Sequence, residues 1–127
     1  MKLDHDLVRK ILLVIESSDS LQGPDENELL KKIPSTYDRN QIAYSISKLK
    51  EANYITGRVV WGNNVAAIIE PGNLTYEGHQ FLDNIRDDGV WKHTKNILSK
   101  FSSVSLTLVS KIAAEVITQL IEKQMGI

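Results

Sequence analysis

The chain has 127 residues, enough for one modest core, and its 42% hydrophobic and 24% charged content is that of a folded globular domain. Fifteen Lys and Arg against sixteen Asp and Glu give a formal charge of -1 and a pI of about 6.3, so no global field attracts nucleic acid. Cysteine is absent, which excludes disulfides and thiolate zinc sites.

The opening "MKLDHDLVRKILLVIE" contains an apolar run, but Asp4, Asp6 and Arg9 interrupt it and Glu16 closes it. It is not a secretory signal, and no apolar stretch is long enough to span a bilayer. A soluble, cytoplasmic protein without membrane contact is expected.

Leu7, Ile11, Val14 and Ile15 recur at helical spacing behind Asp4, a residue type suited to an N-cap, and predict a first helix over 4–18. Small polar residues, Gly23 and Pro24 break it. "DENELLKKI" predicts a short second helix with acids first and lysines last, ended by Pro34. Over 38–53 the stripe Ile42, Ile46, Leu49 predicts a third helix, with Asn40, Tyr44, Ser47, Lys48 and Glu51 opposite and Arg39 and Gln41 on its flanks. Asn53 suits its end. "YITGRVVWG", "NN" and "VAAII" then read as a two-stranded hairpin.

Thr75 is expected to cap a fourth helix through position 86, where Gly78 is a poor helix former but permits close backbone approach. A fifth helix is expected over 88–100, with Asp88 as its cap, and a sixth over 105–124.

Three helices, a hairpin and a fourth helix form the order of a winged helix-turn-helix, in which the third helix reads DNA and the hairpin is the wing. The fold class expected is mainly α with a small β-hairpin: a winged-helix domain over 1–87 and a helical extension over 88–127. Base-edge reading needs hydrogen-bonding side chains on an exposed helix, with cations nearby for phosphate. Asn40, Gln41, Tyr44, Ser47 and Lys48 are therefore expected at the major groove, with Arg39 and Arg58 on phosphates. Residues 39–60 hold Arg39, Lys48, Lys50 and Arg58 against Glu51 alone, so this surface reads as locally basic. The bland reading is a solvated helix face, and a winged helix also serves protein–protein contacts.

The stretches "MKLDHDLVRKILLVIE", "IAYSISKLKEANYI" and "LTYEGHQFLDNIRDDGVWKHTK" resemble the family called domain of unknown function 2513, and "SLTLVSKIAAEVITQLIEKQMG" is similar to its closing helix. The resemblance implies a winged-helix fold and a frequent home in prophages or mobile elements. It implies no catalytic or ligand residues.

Catalysis is not expected. His5, His79 and His93 show no metal-ligand spacing, and no nucleophile motif, P-loop or dinucleotide fingerprint is present, so neither a metal nor another cofactor is expected. His79 with Asp83 is an i, i+4 pair that more often makes a solvated contact than half a metal site. Asp87 and Asp88 read as capping and solubilising acids. Trp91 reads as a core anchor, whereas Trp61 near the hairpin tip could also meet a groove or partner.

In the last helix Val109, Ala113, Val116, Ile117 and Leu120 form a stripe that packs either within the chain or against a second copy, and a homodimer is favoured. The leading expectation is a DNA-binding regulator, weakened by a Lys48→Glu change. The alternative is a non-catalytic adaptor that binds a host or phage protein.

Overall fold

The computed structural model describes residues 1–126. Its elements run α1 (His5–Ser17), α2 (Glu26–Lys32), α3 (Arg39–Glu51), β1 (Arg58–Gly62), β2 (Val65–Glu70), α4 (Tyr76–Ile85), α5 (Asp88–Leu98) and α6 (Leu106–Met125). The fold is mainly helical with one antiparallel hairpin, in the expected order. The described residues divide into two compact units, Leu3–Gln80 with Met1, and those from Phe81 onward with Lys2. This division falls inside α4 rather than at the expected 87/88 boundary.

In the first unit, α1, α2 and α3 each begin where a carboxylate satisfies backbone donors left open by the first turn. The Leu7 N–H donates to Asp4, the Glu28 N–H to Asp25 and the Gln41 N–H to Asp38. At α3 the cap is reciprocal, because the Asp38 N–H also donates to Gln41 Oε1 at 3.0 Å. Chain direction after α3 is set by Asn53, whose φ of 62° is a left-handed conformation that Asn tolerates better than most residues. The core gathers Ile11, Leu12 and Ile15 of α1, Leu29 of α2 and Ile42, Ile46 and Leu49 of α3, all buried. Burying each such side chain contributes about 1.5–3 kcal/mol.

The hairpin turns on Asn63 and Asn64, with φ of 51° and 65°, the backbone signs a tight I′-type turn requires. Arg58 pairs with Glu70 and Val60 with Ile68, but Trp61 pairs with Ala66, so Ala67 is an extra residue and β2 carries a bulge. The bulge shifts the facing of β2: Ala66 and Ile69 are buried, while Ile68 is exposed. Residues opposite each other share a face, so Trp61 lies on the Ala66 side of the sheet, the side that also holds Ile69.

In the second unit α5 and α6 pack on one another. Val90, Trp91 and Leu98 of α5 are buried, and so are Val109, Ala113 and Val116 of α6. Trp91 is the core anchor its sequence context suggested. Thr94 is buried without penalty because its hydroxyl donates to Val90 O at 2.7 Å. Asp87, not Asp88, caps α5 through Val90 N, and the helix ends at Leu98 instead of running to 100. Three of the five residues assigned to a dimer interface, Val109, Ala113 and Val116, therefore face into the protomer. Ile117 is half-buried and Leu120 exposed. The misplacement arises because a sequence stripe marks a buried face without saying which partner buries it. Among the described residues, no helix is long and apolar enough to cross a membrane.

Candidate nucleic-acid interface

The surface expected to read DNA is built from α3 and the hairpin, both in the first unit. Ile42, Ala43, Ser45, Ile46 and Leu49 are buried, which turns Asn40, Tyr44, Ser47 and Lys48 to the open side of α3. Asn40 is exposed, and the other three are partly exposed. Gln41 is partly committed, because its carbonyl oxygen serves the cap and only its amide nitrogen is left for other bonds.

The cations stand differently from a sequence count. Arg39 donates Nε to Glu26 Oε2 at 3.1 Å and Nη2 to Glu26 Oε1 at 2.9 Å. Its Nη1 donates to the Ala66 carbonyl, so one guanidinium joins α2, α3 and β2. Hydrogen bonding from Arg39 holds the Glu26 carboxyl below the usual carboxylate value, against an opposing effect of partial burial. Arg39 is thus a structural clamp, with its fork occupied, and not a freely presented phosphate ligand.

Lys48 Nζ lies 2.9 Å from Glu51 Oε2 and 5.6 Å from the centre of the Tyr44 ring. Arg58 Nε lies 3.1 Å from Glu70 Oε2, across the strand pair that the bulge brings into register. Glu26 and Glu70 lie outside the 39–60 window, so four cations there face three carboxylates rather than one. The Lys48 and Arg58 pairs are solvent-exposed and weak, so that a phosphate can displace them.

Beside these charges the hairpin exposes apolar side chains on both of its faces, Trp61 on the Ala66 side and Val65 and Ile68 on the other. Trp61, Val65 and Ile68 are 52%, 53% and 46% exposed. Trp61 had been singled out as a possible contact, but the outward turn of Ile68 depends on the bulge, which no residue pattern announced.

His79 Nδ1 stands 3.8 Å from Glu16 Oε2, while Asp83 accepts from Arg86 instead of pairing with His79. Among the described residues no group of three or more His, Cys, Asp or Glu is gathered where a metal ion could sit.

Against this geometry, a family model described as "Hypothetical protein (DUF2513)" matches residues 2–105. The chain belongs to this family. The matched segment holds α1 to α5 and the hairpin but stops before α6, so the closing helix falls outside it. A protein of Haemophilus influenzae (strain ATCC 51907 / DSM 11121 / KW20 / Rd), described as "Uncharacterized protein", is 33% identical over 122 residues, covering 95% of this chain and 99% of that one. No solved structure matches the chain.

Proposed function

We propose that this DUF2513 chain is a duplex DNA-binding regulator of prophage or mobile-element type, with α3 as its reading helix. The observation that carries the reading is the open face of α3, where Asn40, Tyr44, Ser47 and Lys48 stand clear of the core in a helix-turn-helix order with a hairpin behind it. Side-chain amides and hydroxyls are the groups that distinguish base edges in the major groove. Gln41 assists through its amide nitrogen, and Lys48 and Arg58 meet phosphate by exchanging their carboxylate partners.

Selection of bound sequences from a random duplex pool tests this. The wild-type chain is expected to enrich one motif, and Asn40→Ala with Tyr44→Ala to lose that preference by roughly 5- to 150-fold, the worth of about 1–3 kcal/mol of base discrimination. A pool that stays random after repeated rounds would sink the reading.

The exposed Trp61, Val65 and Ile68 favour a second reading, a protein-interaction adaptor that binds a host or phage protein through the wing. Under it, Trp61→Ser abolishes partner binding while DNA selection yields nothing.

A homodimer is proposed for the exposed part of α6. Leu120, Ile121 and Met125 are 49%, 53% and 67% exposed, and with half-buried Ile117 they continue at helical spacing beyond the buried residues. Two copies would present two reading helices to paired half-sites. Sedimentation should show a dimer that Leu120→Glu with Ile121→Glu converts to a folded monomer. A wild type that sediments as a monomer at high concentration removes this part of the proposal.

A further inference from the structure

The cations of the reading surface must each give up a carboxylate to meet phosphate, so cations outside it would add to the electrostatic affinity a DNA-binding protein needs. Residues 3–80 carry eight Lys and Arg against eleven Asp and Glu, whereas Lys2 with residues 81–127 carries seven against five. The excess is concentrated. From Gly89 to Ala114 the sequence has four lysines, at 92, 95, 100 and 111, and no Asp or Glu.

The fold turns this run into a surface, bounded at its start by the exposed Asp88, the first residue of α5 and four residues before Lys92. Val90, Trp91, Thr94 and Leu98 take the buried side of α5, which leaves Lys92, His93, Lys95, Asn96, Ser99 and Lys100 exposed. Lys92 and Lys95 are i, i+3 neighbours, and Asn96 and Ser99 extend the same side by i, i+4 steps from them. Lys92 and Lys100 make no ion pair among the described residues, whereas Lys95 is already engaged within the chain and meets phosphate only by exchange, as Lys48 and Arg58 do.

We infer that the exposed face of α5 is a sequence-independent contact surface for the phosphate backbone of duplex DNA. The donor chemistry selects this occupant. Lysines act as point charges, and Asn and Ser are neutral phosphate donors. An acidic protein segment wants apolar anchors among the charges, and on α5 this face has only half-buried Ile97, the exposed Phe101 lying past the helix end and beyond Lys100. Within α5, Lys92 to Leu98 spans about 9 Å at helical rise, matching roughly three phosphates of one strand along the duplex axis, and Lys100 stands in the turn beyond the helix.

The inference rests on the chain being a DNA-binding protein but does not require that α3 be its reader. Fluorescence anisotropy of the full chain with random-sequence duplex, over a salt series, tests it. Three phosphate contacts give a log–log salt slope of about -2.7, a loss of roughly 40-fold between 50 and 200 mM salt. The triple variant Lys92→Gln, Lys95→Gln, Lys100→Gln is expected to make the slope less negative by about that amount and to weaken binding to every duplex alike. Asn40→Ala with Tyr44→Ala should leave this random-duplex binding in place.

An unchanged slope in the triple variant, or no wild-type binding at low salt, overturns the inference. Displacement of the duplex by a poly-glutamate peptide at equal charge concentration also overturns it, in favour of an acidic protein partner. The two ideas fail separately. Lysine-dependent binding without an enriched motif leaves α5 standing and removes α3 as the reader. An enriched motif bound with lysine-independent affinity does the reverse.

Discussion

Gly78→Ala is expected to destabilise the chain by about 3 kcal/mol or more, although alanine is the better helix former by about 1 kcal/mol. Gly78 lies in the first turn of α4, and a Cβ built on it would stand 2.0 Å from the Tyr54 carbonyl oxygen. That oxygen cannot step aside, because it belongs to the backbone and accepts from Thr75 N at 3.0 Å. Thr75 is fixed in turn: its hydroxyl donates to Asn53 O and accepts from Gly78 N at 3.0 Å. A methyl group at 78 therefore has to move the start of α4 away from the end of α3, breaking the cap and the Tyr54 contact together. Gly89→Ala in α5 provides the control. There the nearest atom to a new Cβ is Asp87 Oδ2 at 3.3 Å, the cap oxygen that accepts from Val90 N, which has to give by only a few tenths of an ångström, so the loss should be far smaller than at Gly78. Urea unfolding of both variants reads the contrast. Gly78→Ala as stable as the wild type would mean that α4 does not hold this close approach in solution.

That glycine shows what could be read from sequence. A poor helix former inside an otherwise good helical pattern pointed to backbone contact, because only a missing side chain explains the lost propensity. Two caps were legible for the same kind of reason: Asp4 and Thr75 precede apolar periodicity and each has the oxygen a first turn needs, whereas Asp38 was read only as the start of its helix. At α5 the rule was ambiguous, since two adjacent aspartates satisfy it, and geometry chose Asp87. Charge pairing across elements was not legible. Glu26 is remote from Arg39 in sequence, and a window over α3 and β1 cannot see it. Glu70 meets Arg58 only because of the extra residue Ala67; a regular hairpin closing on Gly62 and Val65 would have put Ile69 there. The same bulge turned Ile68 outward. The stripe of α6 was legible as a stripe, but its division into a buried half and an exposed half depends on how far α5 runs alongside it.

Arg39 separates structure from binding most cleanly. Arg39→Met keeps the apolar stem and removes the fork, and is expected to destabilise the chain by about 1–2 kcal/mol at neutral pH. Part of the loss comes from the Ala66 carbonyl, which belongs to a buried residue and loses its Arg39 donor. The remainder comes from Glu26, discounted because both side chains of the pair are partly exposed, at 37% and 29%. The Glu26 share has a defined pH dependence. Its folded-state carboxyl is held below the unfolded value of 4.5, so its contribution is fully present above that value and fades as pH falls through the folded one. The wild type should therefore lose stability on acidification through this window more steeply than Arg39→Met, and the gap between them should narrow. Glu26→Gln should flatten the same limb with a smaller loss at neutral pH, since it leaves the bond to Ala66 in place. In DNA titrations Arg39→Met should keep the wild-type salt slope wherever it is folded, because its guanidinium is already used. A variant of unchanged stability whose slope is less negative by about 0.9 would instead make Arg39 a phosphate ligand. The clamp between α2, α3 and β2 would then be a resting contact that DNA replaces.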